Sequence, residues 1–331
     1  MKEDNLQVIF GTGPLGMAVM RALTEQGYPV KMVNRSGKAP PGLPSSVEMA
    51  GGDAYNLDFT RRVCAGASVV YQCAQPNYWE WPAKFPPLQA SILEGAASAG
   101  AKLIAGENLY MYGEVNGPIH EDLPYVARTR KGTVRGEMTR ALLEAHQTGR
   151  VRVAMGRGSD FYGPGVLDSA LGDRAILPAL QGKAASLGGK LDLPHTYTYI
   201  NDFGKALAIL GQREEALGQA WHVPNPPTLT QRELMTLFFN EIGKPPRMSS
   251  VSKLMMSLAG LFIPGARESV EMMYEFEKPF IVDSSKFIRS FGNIATTHQI
   301  AIQQTIAWYR DYLAAKEARL PLNPQKDEIA T

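Results

Sequence analysis

The sequence predicts an α/β fold: a doubly wound parallel sheet followed by a smaller, mostly helical C-terminal domain. Three observations predict it. Short apolar runs alternate with helix-period segments from Leu6 to Met155, as strands and crossover helices do in a parallel sheet. The first run ends in glycines and passes at once into a helical pattern. After Gly165 the alternation weakens, and helical segments broken by prolines take over. A chain of 331 residues can bury a large core and hold two fused domains. The boundaries read as 1–165 with about 198–224 for the sheet domain, and about 166–197 with 225–314 for the second. A polar tail covers 315–331.

The first strand is Leu6 to Phe10, and Gly11-Thr12-Gly13-Pro14-Leu15-Gly16 follows it. Leu15, Val19 and Leu23 then recur on one helix face. This is G-x-G-x-x-G between a strand and a helix, the fingerprint of a Rossmann dinucleotide site. Gly11 permits the tight turn, Gly13 lets the backbone approach a pyrophosphate, and Gly16 lets helix and strand pack closely. The pyrophosphate would sit on unpaired N–H groups at the positive helix end.

Val30 to Val33 is the second strand, ending at Asn34-Arg35-Ser36. An acidic residue there would hold the ribose 2′-OH of NAD, whereas an arginine accommodates the 2′-phosphate of NADP. Arg35 offers a forked donor, Ser36 adds a hydroxyl, and no carboxylate is near. The expected cofactor is NADP(H) rather than NAD(H).

Val47 to Ala50 is a third strand leading to Gly52-Asp53-Ala54, where Asp53 and Ala54 could meet adenine. Val69 to Ala74 is a fourth, buried on both faces by its continuous apolar run. Its end, Cys73 and Ala74, falls at the cofactor edge. The aromatic loop beyond it carries Tyr78, Trp79 and Trp81, which could wall a substrate pocket. A helix from about Pro86 to Ala99 precedes a fifth strand, Lys102 to Ala105, which delivers Asn108, Tyr110 and Tyr112. A helix from about Gly132 to Gln147 leads to a sixth strand, Val151 to Met155, and then to Asp160-Phe161-Tyr162-Gly163-Pro164-Gly165.

In the second half, Leu193 to Ile200 has period-two character and Asn201-Asp202 opens a helix, with Asp202 as its cap. Ala220 to Val223 is another strand. Thr230 with Glu233 makes a capping box at a helix start. Ile300 to Leu313 is a last amphipathic helix. His195, where a strand enters the second domain, is a further pocket candidate; Asp160 reads as a turn residue.

Composition excludes several classes. A net charge of +2 gives no argument for nucleic acid or membrane. The run Leu254 to Ile263 is too short to span a bilayer and reads as a buried or substrate-covering helix. Cys64 and Cys73 form neither a metal pattern nor a disulfide framework. No H-E-x-x-H or G-x-S-x-G occurs, so no metal site or serine hydrolase is expected. The expected location is the cytoplasm, because the chain runs straight into its first strand.

Taken together, the glycine turn, Gly52-Asp53-Ala54, Tyr112-Gly113, Phe161-Tyr162-Gly163-Pro164-Gly165 and Tyr199-Ile200-Asn201-Asp202 resemble the short-chain dehydrogenase/reductase superfamily, in its extended, epimerase/dehydratase-like branch. The resemblance implies a seven-stranded cofactor domain and a small substrate domain. It also implies a homodimer formed by the helices near Pro86–Ala99 and Gly132–Gln147.

The resemblance further implies a catalytic set of Ser or Thr after the fifth strand, then Tyr-x-x-x-Lys opening the next helix. This sequence departs from the set at every position: Asn108 replaces the Ser/Thr, Lys131 the tyrosine and Arg135 the lysine. Tyr274–Lys278 and Tyr312–Lys316 match the string by chance, far from that register. Arg135 cannot deprotonate, so it can only be a fixed charge, able to hold the nicotinamide ribose. That charge would lower the pKa of a nearby Lys131 and fit it for proton transfer. Asn108 offers an amide to a carbonyl oxygen. Tyr112 or Tyr110 is an alternative acid. The expected function is an NADP(H)-dependent oxidoreductase or epimerase/dehydratase-like enzyme on a small carbonyl or hydroxyl compound. The alternative is a non-catalytic NADP(H)-binding sensor that keeps the fold and drops the chemistry.

Overall fold

A computed structural model describes residues 5–262 and 264–318. Along the chain run β1 (Leu6–Phe10), α1 (Pro14–Thr24), β2 (Val30–Asn34), β3 (Glu48–Gly51), α2 (Leu57–Cys64) and β4 (Ala67–Gln72). Then come α3 (Trp81–Ser98), β5 (Lys102–Glu107), α4 (Arg130–Gln147), β6 (Val153–Arg157) and β7 (Asp160–Tyr162). The second half holds α5 (Leu177–Leu180), β8 (Ala185–Gly188), β9 (Pro194–His195), β10 (Tyr197–Tyr199), α6 (Ile200–Gln212) and β11 (Ala220–His222). It continues through β12 (Leu229–Thr230), α7 (Gln231–Ile242), β13 (Met248–Val251), α8 (Lys253–Ala259), α9 (Pro264–Ser269), α10 (Ser285–Phe291) and α11 (His298–Ala318).

Seven strands form one parallel sheet in the order β11-β6-β5-β4-β1-β2-β3. The order reverses between β1 and β4, the crevice where such sheets bind ligands. The strands are buried on both faces because their apolar runs are continuous. Val8, Phe10, Val70 and Leu103 pack one face with Phe85, Ile92, Met138 and Leu142 of α3 and α4. Ile9, Val69, Tyr71 and Ile104 pack the other with Val19 and Leu23 of α1 and Phe203 and Leu207 of α6. Each large side chain so buried contributes roughly 1.5–3 kcal/mol. Gly204 of α6 meets Ala18 of α1 so closely that a Cβ would lie 2.6 Å from the alanine Cβ. That crossing draws α6 against the glycine-turn helix.

Local chemistry sets the helix starts. Pro14 opens α1, Asn56 caps α2 through Phe59 N–H, and Thr129 caps α4 through Gly132 N–H. Thr230 and Glu233 make both bonds of the expected capping box, and left-handed Gly243 ends α7. A separate core of Tyr162, Tyr197, Tyr199, Phe238, Phe239 and Tyr309 joins α7 and α11 to the small strand pairs β10-β7, β12-β9 and β13-β8.

Several expectations are corrected. The third helix begins at Trp81, before the expected Pro86: Pro82 sits in its first turn, where a missing N–H costs least, and Pro86 and Pro87 lie inside the helix. The helix after Tyr199 begins at Ile200, and its cap is not Asp202. That carboxylate is buried within α6 and accepts from Thr296 N–H and Oγ1. Asp160 is a strand residue rather than a turn. The run from Leu254 is not buried: Leu254, Leu258, Leu261 and Phe262 face solvent, and Ile263 lies outside the described residues. Most of the expected tail, 319–331, also lies outside them, while 315–318 complete α11. No described helix is long and apolar enough to cross a membrane.

Candidate active site

The glycine turn has the shape a dinucleotide needs. Gly11 has φ +107°, and a Cβ on it would lie 2.8 Å from Ala74 N. A Cβ on Gly16 would fall 2.0 Å from Gly11 O, so helix and strand touch there through bare backbone. A Cβ on Gly13 would meet nothing within 4 Å, which leaves open space above the first N–H groups of α1. Gln72, opposite Phe10 in register, buries its Oε1 with no hydrogen-bond partner among the described residues. A cradle with an orphaned polar atom beside it fits a bound dinucleotide.

The other expected cofactor residues surround this crevice. Asn34 Nδ2 reaches Thr12 Oγ1 at 3.3 Å and its Oδ1 accepts from Gly37 N–H, so β2's end is tied to the glycine turn. Arg35 and Ser36 are exposed beside it. Asp53 Oδ1 accepts from Tyr55 N–H, shaping the entry to α2. Cys73 and Ala74 are half-buried at the end of β4 against Gly11, and burial pushes the Cys73 thiol up. Pro14 contacts the loop after Phe161, where a Cβ on Gly165 would lie 3.7 Å away. Leu15 packs beneath Gly106.

The expected catalytic set divides into two groups. Lys131 is 1 % exposed. Its ammonium donates to Glu268 Oε2 at 2.6 Å, Glu271 Oε1 at 2.8 Å and the Glu268 carbonyl at 3.1 Å. Those bonds engage all three of its N–H groups. It also lies 4.3 Å from the Tyr78 ring centre. Burial alone would raise the Glu268 carboxyl, but Lys131 and Arg130 outweigh it and hold the group low.

Arg135 lies elsewhere. Its guanidinium is 2 % exposed, 3.5 Å from buried Glu107 and over the Phe85 ring. Glu107 also accepts from Arg157 Nε at 3.0 Å and from Thr139 Oγ1. Burial pushes Arg135 down; for Arg157, Glu107 overcomes burial and pushes the group up. The charge expected at a ribose is thus engaged with a core carboxylate.

Tyr112 belongs to the same network. Its Oη accepts from Arg157 at 2.5 Å and donates to His222 Nε2 at 2.9 Å. His222 is held neutral, its pKa lowered by burial and by Arg157 to about 3. Its Nδ1–H then donates to the Asp283 carbonyl, which fixes the tautomer.

Asn108 is half-buried past β5. Its Oδ1 accepts from Tyr110 N–H at 3.3 Å, and its Nδ2 makes no hydrogen bond among the described residues. Tyr110 Oη lies 3.4 Å from Tyr78 Oη. Burial raises both phenols. Trp81 is buried edge-on to Tyr78 and Phe85, whereas Trp79 turns outward and is 60 % exposed. His195 is stacked against Phe276, and its Nε2 meets Asp160 Oδ2 at 2.8 Å. Tyr162 packs in the C-terminal core against Phe238. So Lys131, Tyr78 and Tyr110 converge with the Asp160–His195 pair, while Trp79, Tyr112, Arg135 and Tyr162 point elsewhere.

Four carboxylates at this site escape the sequence reading. Glu268, Glu271 and Glu275 come from the segment Pro264–Phe276, and Asp160 from β7. Their i, i+3 spacing lets Glu268 and Glu271 face the same way, but nothing in the sequence aims them at Lys131. No cluster of three metal-ligating side chains occurs among the described residues.

A profile of the NAD dependent epimerase/dehydratase family matches residues 8–223. Solved structures with this fold include UDP-glucuronic acid 4-epimerase from Bacillus cereus in complex with NAD. It has 16 % identity and a TM-score of 0.76, over 93 % of this chain and 98 % of that one. A double mutant of DesIV, a dTDP-glucose 4,6-dehydratase from Streptomyces venezuelae with NAD bound, has 18 % identity and a TM-score of 0.76, over 95 % and 99 %. UDP-N-acetylglucosamine 4-epimerase from Bacillus cereus has 14 % identity and a TM-score of 0.73, over 92 % and 96 %. No curated protein matches the sequence.

Proposed function

This chain belongs to the NAD dependent epimerase/dehydratase family, and we propose that it is an NADP(H)-dependent oxidoreductase or epimerase/dehydratase-like enzyme acting on a small carbonyl or hydroxyl compound. The observation that carries this reading is the open cradle over Gly13, joined to the end of β2 by the Thr12–Asn34 contact. Gly11, Gly13 and Gly16 shape the pyrophosphate seat. Arg35 and Ser36 hold the ribose phosphate, with Asp53 and Ala54 on the adenine side. Two of the solved neighbours named above hold NAD; the preference for NADP rests on Arg35 and its neighbour Ser36.

A nicotinamide cofactor seated there supplies or accepts hydride. The chain's own residues handle the substrate oxygen. Asn108 Nδ2 donates a hydrogen bond to it, and Lys131 moves the proton. Lys131 reaches a substrate only when Glu268 and Glu271 shift from it, so the segment Pro264–Phe276 acts as a cover. Arg135 acts through Glu107, as a positioning charge beneath the end of β5. The same reading includes a homodimer through α3 and α4.

The test is direct. Purified protein is titrated with NADPH and NADH, then assayed for cofactor oxidation or reduction with nucleotide sugars, aldehydes and ketones. Tight NADPH binding with turnover of one class is expected. Binding without turnover across the panel would leave only the sensor reading.

A further inference from the structure

The most exposed apolar surface lies on α8 and the turn after it. Leu254, Met255, Leu258, Leu261 and Phe262 are 70, 54, 56, 74 and 86 % exposed. Leu254, Met255 and Leu258 share one face of α8 by their i, i+1, i+4 spacing, and Leu261 and Phe262 follow in the turn after it. Such a face normally packs on a core; here it faces water, and a contiguous exposed apolar patch marks a contact surface.

The segment that carries the patch is basic, and a carboxylate beside it, Glu114, is paired with Lys278 and lies near Lys253. From Gly243 to Arg267 the chain carries Lys244, Arg247, Lys253 and Arg267, with no Asp or Glu. The whole chain has a net charge of only +2, so this is a local excess. A second segment adds to the surface. α8 packs on α9, and α9 packs on the turn Tyr78–Glu80, whose Trp79 is 60 % exposed.

We propose that α8 and its following turn dock this protein on an anionic lipid surface. An apolar helix face seats in the acyl boundary, flanking Lys and Arg side chains meet anionic headgroups, and an exposed Trp anchors at that level. A second copy of the chain fits the patch less well. In a two-fold dimer the same patch meets itself, and would set four cations against four. The docking face also adjoins the site cover, because Arg267 directly precedes Glu268. The proposal does not depend on the catalytic reading.

Sedimentation of the full chain with phosphatidylcholine vesicles, with and without phosphatidylglycerol, tests it. The protein should pellet with the anionic vesicles and release as salt rises. Leu258→Ser with Phe262→Ser, and separately Arg247→Ser with Lys253→Ser, should each cut partitioning by roughly tenfold or more. The melting temperature should be unchanged in both, which verifies the fold. Failure to pellet, or equal binding to neutral vesicles, overturns the proposal. So does a chain that binds no vesicle and whose dimer is abolished by the apolar pair of substitutions.

Discussion

The Lys131 ammonium lies 2.6 Å from the Glu268 carboxylate, across 137 residues of sequence. The start of α4 and the cover segment are thereby joined by a nearly buried ion pair, which Glu271 completes at 2.8 Å. One lysine is held at the cleft and at the same time closes it.

Lys131→Met should abolish any detected turnover and leave NADPH affinity within about twofold. It should also cost roughly 1–3 kcal/mol of stability, below the full cost of breaking a buried pair, because the two glutamates keep edges in water. The pH dependence has a definite sign. Glu268 is held low in the folded state, so its stabilising contribution is complete above the ordinary carboxylate range and lost as pH falls through the folded value. The variant should lose less stability on acidification than the wild type. Unchanged turnover would remove Lys131 from the chemistry.

Arg35→Ala should weaken NADPH and spare NADH. A charge-assisted hydrogen bond is worth roughly 1.5–3 kcal/mol, about 10- to 150-fold in affinity. Arg35 is exposed at the end of β2, so the fold should not respond. Equal loss for both cofactors, read by fluorescence titration, would show that Arg35 does not meet a 2′-phosphate.

Gly13→Ala and Gly11→Ala should separate fold from binding. A Cβ on Gly13 meets open space, so the melting temperature should hold while dinucleotide affinity falls. A Cβ on Gly11 strikes the Ala74 backbone at a positive φ, so that variant should lose stability as well. Retained cofactor affinity in Gly13→Ala would argue against the pyrophosphate seat.

Glu107→Gln should be among the most damaging core changes. Glu107 and Arg157 are register partners at the ends of β5 and β6, and Arg135 lies against the same carboxylate. Removing the negative charge leaves two buried guanidinium groups facing each other, at a cost of roughly 3–5 kcal/mol in urea unfolding. A loss under about 1 kcal/mol would mean that water reaches the cluster.

The sheet was legible in the sequence because each strand is a continuous apolar run ending in glycine or polar residues, from Leu6 to Arg157. The cofactor turn was legible because its glycines answer to backbone geometry, which is local. The cluster of carboxylates around Lys131 was not. Lys131 at a helix start reads alike whether it faces water or two carboxylates from 137 and 140 residues away. The run from Leu254 reads as a buried or substrate-covering helix because it is apolar, yet it faces solvent, since an apolar run does not report what covers it. Glu107 and Arg157 left a usable signal, opposite charges ending adjacent apolar strands, whose pairing required the register.

Glu275 supplies the last prediction. It is 2 % exposed, and burial first and neighbouring Asp160 second raise its carboxyl well above the usual range. The folded state therefore holds this proton to a higher pH than the unfolded chain does. A group raised in this way stabilises fully below the ordinary carboxylate pKa, and that contribution fades as pH climbs toward the folded value. Glu275→Gln keeps the shape and a hydrogen-bonding head but cannot ionise. Relative to the wild type, the variant should gain stability from pH 5 to pH 8, at up to about 1.4 kcal/mol per pH unit. Urea midpoints at the two pH values decide it. Parallel curves would mean that Glu275 titrates in the fold as it does in the unfolded chain.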